Sequence, residues 1–193
     1  KDFESIDDSN SLYNKARLTI MVMDAENEKE ENIIDYIHRI AEKTKDDEEQ
    51  SSTFMSIGTW LYIWGLKKYA KESFYIALKS SKCIDEKIAC YVNLANCCND
   101  STESINFLKM RKELAKSKYG EKWDDELLEY YLDYLGKLRK TSPQTVCDEI
   151  DNIIATYDDL TSKAKSSLYH LKAGCYGDMY DKTNDEEIYS KDS

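Results

Sequence analysis

The sequence predicts an all-α chain, and three observations carry that prediction. Six glycines and one proline in 193 residues are too few to punctuate the many turns of a β architecture. Apolar residues recur at three- and four-residue spacings almost from end to end, and no stretch alternates with the period of two that marks a strand. Fifteen tyrosines, three tryptophans and a hydrophobic fraction of 41% supply more core material than a disordered chain carries.

Taken in order, Leu12, Ala16 and Ile20 mark a helix over roughly 9–24. Leu18, Met21 and Met23 make it apolar around much of its circumference, as in a buried helix or one facing a neighbour. Ile33, Ile34, Ile37, Ile40 and Ala41 trace a second helix to about residue 45. The acidic stretch from Asp46 separates it from a third, for which Ser51 and Ser52 are the expected N-caps. Phe54, Ile57, Leu61 and Trp64 share one face there, and Gly65 is its stop. Tyr69, Ala70, Ser73, Phe74, Ala77 and Leu78 continue to near Cys83, then Ile88, Tyr91, Leu94, Ala95 and Cys98 run to Asn99. Ile105, Leu108 and Ala115 ride a helix ending by Gly120. Trp123, Leu127, Leu128, Tyr131, Leu132 and Leu135 build the next, which stops before Pro143. That proline suits the first turn of a helix carrying Val146, Ile150, Ile153 and Ile154. Ala164, Leu168, Leu171 and Cys175 mark the ninth, and the polar end from Asp181 is expected to fray.

Charge narrows the partners. Lys plus Arg is 27 and Asp plus Glu is 38, a net charge of −11 that repels phosphate backbones and anionic lipid. No nucleic acid and no membrane partner is expected. The basic cluster Lys109, Arg111, Lys112, Lys116 and Lys118 reads as a solvated helix face balancing acidic neighbours. The apolar run Leu18–Met23 falls far short of the roughly 20 residues that span a bilayer. The chain opens on Lys1 with no apolar leader, which suggests a fragment of a longer protein. Of the six cysteines, Cys90 and Cys97 fall inside a helical stripe, where cysteine acts as a small buried hydrophobe. Reduced thiols and a cytoplasmic or nuclear location are expected.

The helices come in pairs that recur. Phe54, Tyr91, Leu128 and Leu168 are spaced by 37, 37 and 40 residues, and Ile33, Ala70, Ile105 and Val146 by 37, 35 and 41. A fixed period in this range is the mark of helical repeats, because one pair cannot bury its own apolar face and stacked pairs share a core. The segment Phe54-x2-Ile57-Gly58-x2-Leu61, followed by Gly65 and Ala70-x3-Phe74-x2-Ala77-Leu78, resembles the tetratricopeptide (TPR) repeat. Small residues at Gly58 and Ala70 suit close helix approach, while Lys82 stands where the family's terminal proline belongs. The next pair keeps Tyr91-x2-Leu94-Ala95 without Ala-x3-Phe, and the third puts Leu132 where a small residue belongs. The resemblance implies a right-handed solenoid of four to five antiparallel pairs, roughly 9–45, 51–82, 85–118, 122–160 and 161–190. The 35–41 residue periods also suit HAT-like repeats and the FAT-type solenoids of large kinases.

No catalytic constellation is present in the sequence. His38 and His170 sit beside helical stripes, and there is no Gly-rich phosphate loop, HExxH or nucleophile elbow. Cys83, Cys90 and Cys97 are seven apart but lack the CxxC pairing of structural zinc sites. No catalytic residue, metal or cofactor is expected. The acidic run Asp124-Asp125-Glu126 suits a helix N-terminus, where the dipole favours negative charge.

By the TPR resemblance, the first helix of each pair lines a concave groove. The resemblance then puts Ser52, Met55, Ser56, Thr59 and Tyr62 on that face, followed by Val92, Asn93 and Asn96, then Glu126, Glu129, Tyr130 and Asp133. Tyr62, Asn93, Asn96, Glu129 and Tyr130 are the expected partner contacts. TPR modules that clamp carboxylates use Lys, Asn and Arg here, whereas Met55, Thr59, Glu126 and Tyr130 occupy the corresponding positions. An acidic groove favours a Lys/Arg-bearing or mixed apolar protein segment. The expectation is a non-enzymatic scaffold in a larger complex. The alternative is a solenoid arm positioning the distant catalytic domain of a large protease or kinase.

Overall fold

The structure, a computed structural model, describes residues 30–120 and 125–191. The expected helix at 9–24 and Trp123 lie outside them. The described residues form eight α-helices and no strand: α1 (Glu30–Lys43), α2 (Asp47–Ile63), α3 (Lys67–Ser80), α4 (Ile84–Cys97), α5 (Ser101–Tyr119), α6 (Asp125–Arg139), α7 (Pro143–Thr156) and α8 (Ser162–Lys191). They divide into two compact units, with the division between Asn99 and Asp100. The division falls inside the expected pair 85–118.

Local chemistry sets the boundaries. Asp46, not Ser51 or Ser52, caps α2: its carboxylate accepts the Glu49 N–H at 2.8 Å, so the helix starts earlier than expected. Asp100 does the same for α5 through the Glu103 N–H at 2.8 Å. At the end of α2, Gly65 takes φ +79° while its N–H donates to Tyr62 O and the Leu66 N–H to Leu61 O, both at 2.9 Å. That double bond is the Schellman stop, which needs a residue free to adopt positive φ. Pro143 opens α7 as expected, and α8 runs on to Lys191 where fraying from Asp181 was expected.

In the first unit α2 packs on α3, α3 on α4, α2 also touches α4, and α1 lies against α3. Phe54, Ile57, Leu61, Ala70, Phe74 and Leu94 are its fully buried centre. A Cβ on Gly58 would sit 2.6 Å from the Phe74 ring, so the absent side chain is what lets α2 and α3 meet. Two contacts fix the register of α2 on α4. The Ser51 hydroxyl donates to Glu86 at 2.9 Å, and the Cys90 thiol lies 3.3 Å from the Met55 sulfur; each pair is separated by 35 residues. Both advance by four residues along both helices, so α2 and α4 run in the same direction.

The second unit repeats the three mutually touching helices, α6 on α7, α7 on α8 and α6 also on α8, but its remaining helix differs: α5 packs on α6, the first of the three, whereas α1 packs on α3, the middle one. Leu127, Leu135, Val146, Ile150, Ala164 and Leu168 are buried at its centre. Here the bond between the two non-sequential helices is ionic. Arg139 binds Asp178 through Nε at 2.6 Å and a second guanidinium nitrogen at 2.8 Å, across 39 residues. Gly174 makes room for it, since a Cβ there would lie 2.3 Å from the guanidinium.

Candidate partner-binding site

The α2 face expected to line a groove is exposed in part. Ser52, Ser56 and Thr59 point to solvent, and their hydroxyls donate to carbonyls of their own helix at 3.1, 3.0 and 2.8 Å. Those protons are therefore engaged locally. Met55 is half-buried against the Cys90 thiol. At the end of the helix the surface turns apolar: Tyr62 is 37% exposed, Ile63 72% and Trp64 43%. The Trp64 ring leans on Trp60 with centroids 4.2 Å apart.

Asn96 is exposed and Asn93 half-buried on α4. The 35-residue register sets Asn93 level with Gly58 and Asn96 level with Leu61. Tyr62, Asn93 and Asn96 therefore sit on the same half of two touching helices. Glu129 and Tyr130 belong to the second unit.

Tyr130 is not a surface contact. It is 8% exposed, with the Arg111 guanidinium stacked over its ring at 4.4 Å. Asp133 is paired with that same arginine at 2.5 Å, so it is less available to attract a partner cation than expected. Glu129 remains exposed on this helix, and the acidic character read for it shrinks accordingly.

The basic cluster on α5 is likewise not a solvated face throughout. Lys112 is 7% exposed, its ammonium 4.4 Å from the Tyr134 ring centre and 5.0 Å from that of Tyr131, with Glu113 at 3.3 Å and Glu149 at 3.9 Å. Tyr134 donates to Glu149 at 2.8 Å. Burial and the neighbouring carboxylates push the Tyr131 and Tyr134 hydroxyls well above the usual phenol range, so both stay protonated. The signal was in the sequence: Ser104, Leu108, Lys112 and Ala115 fall on one helical stripe, all four of them buried.

Sequence reasoning missed a cleft of about 480 Å³ in the first unit, where α1, the start of α2 and α3 meet. His38, Glu42, Asp47, Glu72 and Lys79 line it; Asp47 is paired with Lys82 at 2.8 Å, which leaves Glu42 and Glu72 against the one ammonium of Lys79. His38 Nε2 lies 3.0 Å from Glu72 Oε1. Its floor is a polar clasp: Gln50 donates to Ala41 O at 2.5 Å and to Thr44 O at 3.1 Å, and its own carbonyl accepts from Ser80. His38 and Glu42 stand one turn apart on α1, but their meeting with Glu72 depends on how α1 lies on α3.

None of the six cysteines forms a disulfide. Burial pushes Cys90 up to about 12 and Cys97 up to about 11, which makes them inert packing groups. Among the described residues no cluster of three His, Cys, Asp or Glu side chains is placed to hold a metal, and no helix is long and apolar enough to cross a membrane. Comparison with family models, curated proteins and solved structures yields no match for the chain.

Proposed function

We propose that the chain is a non-enzymatic TPR-like interaction module that holds a Lys/Arg-bearing segment of a partner protein within a cytoplasmic or nuclear complex. The observation that carries this reading is the α2–α4 register: equivalent residues of successive first helices meet across 35 residues, the spacing expected of stacked antiparallel pairs. The Arg139–Asp178 bond across 39 residues supports the same reading in the second unit. Stacked pairs present long, solvent-facing helix surfaces, and such surfaces serve recognition.

The polarity of the ligand follows from charge. The α1–α3 cleft carries a surplus of carboxylates, which favours a partner cation, while the exposed Tyr62, Ile63 and Trp64 favour apolar side chains at the opposite end of α2. The test is fluorescence anisotropy of labelled Lys/Arg-rich and acid-rich peptides titrated with the full chain. Tight binding of the basic peptide, weakened about tenfold by the pair Glu42→Lys/Glu72→Lys, supports the reading. Equal binding of both peptides, or no change in the variant, sinks it. Tyr62→Ala and Asn96→Ala ask the same question of the α2–α4 face.

The apolar end of α2 also favours a second reading, a structural arm of a larger enzyme whose surface is covered in cis. In that case no free peptide binds, while Ile63→Asp weakens attachment of the flanking domain.

A further inference from the structure

The core of the second unit holds a thiol pair that the interaction reading does not use. Cys147 on α7 is 2% exposed and Cys175 on α8 is fully buried, both in the seam where these two helices pack, and burial together with the Cys147 side chain holds the Cys175 thiol above its ordinary value. Two ion pairs bracket them. Three residues before Cys175, Lys172 binds both carboxylate oxygens of Asp151 at 2.5 and 2.7 Å. Three residues after it, Asp178 holds Arg139. Asp151 lies one turn beyond Cys147 while Lys172 lies one turn before Cys175, so the antiparallel packing of α7 and α8 sets the two buried cysteines level with one another.

We propose that Cys147 and Cys175 are a redox-modifiable dithiol, converted by a small disulfide such as oxidised glutathione into a covalent staple between α7 and α8. The chemistry balances without another reactant. One cysteine thiolate attacks the small disulfide, forming a mixed disulfide and releasing one small thiol. The second cysteine then displaces the other half, releasing a second small thiol. Two protein thiols are oxidised, one disulfide is reduced, and the two protons leave with the products.

The geometry favours the second step over the first. Neither sulfur is open to solvent, and burial holds the Cys175 thiol up at about 11 against the opposing pull of Arg139. Entry therefore requires local opening of α8, and the reaction is slow. Once one sulfur is captured, reclosure of the helix delivers the other at high effective concentration. The exposed Cys83 has no such partner and stops at the mixed disulfide.

The test is disulfide mapping of the full chain equilibrated for hours in glutathione buffers of graded oxidation, then acid-quenched and alkylated. Trypsin releases peptides 141–163 and 173–182, each with one of the two cysteines. The expected result is that these two appear linked, two hydrogens lighter, with a single redox midpoint, and that thermal unfolding of the oxidised chain moves up by several degrees. Cys147→Ser should abolish both the link and the shift, leaving Cys175 as a mixed disulfide at most. The proposal is overturned if the pair stays reduced in excess oxidant, including mild urea that opens α8, or if either cysteine links mainly to a different one. The mapping on the unsubstituted chain decides the matter even if a serine variant fails to fold.

Discussion

In the first unit α2 and α3 meet through an absence: Gly58 has no side chain, and the Phe74 ring fills the space it leaves. In the second unit the helices meet through long polar and aromatic groups, with Lys112 and Arg111 of α5 capping the tyrosines of α6, and Arg139 clasping α8. Each unit contains three successive helices in mutual contact, α2–α4 and α6–α8. The difference teaches that one packing scheme tolerates two chemistries. A glycine–phenylalanine contact is short-ranged and insensitive to salt, whereas an ionic and cation–π cluster depends on charge state and ionic strength.

The comparison breaks most readily at Phe74. Phe74→Ala removes a side chain that is 1% exposed and should destabilise the chain by about 3–5 kcal/mol, read from urea unfolding. A loss below about 1 kcal/mol would mean that the Gly58–Phe74 contact does not organise this unit. In the second unit Lys112→Met keeps the length of the side chain but leaves Glu149 without its cation. A loss of about 1–3 kcal/mol is expected, smaller in high salt for the wild type than in low salt. An equal loss at all salt concentrations would show that the lysine acts as packing alone.

Two glycines sharpen the contrast further. Gly58→Ala gains about 1 kcal/mol of helix propensity yet forces the Phe74 ring to move, and the net should be a loss of about 1–2 kcal/mol. Gly177, inside α8, has nothing within 4 Å of an added Cβ, so Gly177→Ala should stabilise by about 0.5–1 kcal/mol. Melting temperatures that move in the same direction for both variants would contradict the packing described for α2 and α3.

The smallest effect is one of pH. The hydrogen-bonded Arg139 guanidinium holds the Asp178 carboxyl below its ordinary 3.8. A lowered folded-state value means that the pair's contribution is fully present above the unfolded value and is lost as pH falls through the folded one. Asp178→Asn should therefore narrow its stability gap to the wild type below pH 3.8 and leave a constant gap above pH 5. A gap that widens in acid would reverse the assignment.

Much of this was legible in the sequence where smallness or periodicity carried the information. Ile33, Ile37 and Ile40 predicted α1, Gly65 its neighbour's stop, and Gly58 with Phe74 the close crossing of α2 and α3. The burial of Cys90 and Cys97 followed from the same stripe. Tyr130 and Lys112 were misplaced because residue type argues for the surface while their burial depends on each finding a partner on another helix. The start of α2 was misplaced because Asp46, Ser51 and Ser52 are all competent caps, and Ser51 is instead bound to Glu86.

What the sequence determined by itself is the set of helices, since backbone bonding and the 3.6-residue period are local properties of each segment. The tertiary structure alone decided which cations are buried, that Cys147 and Cys175 lie level in the buried seam of α7 and α8, and that Glu42, Asp47 and Glu72 border one cleft. Those facts join residues from different helices, and the free energy that fixes them comes from contacts whose partners no local pattern names.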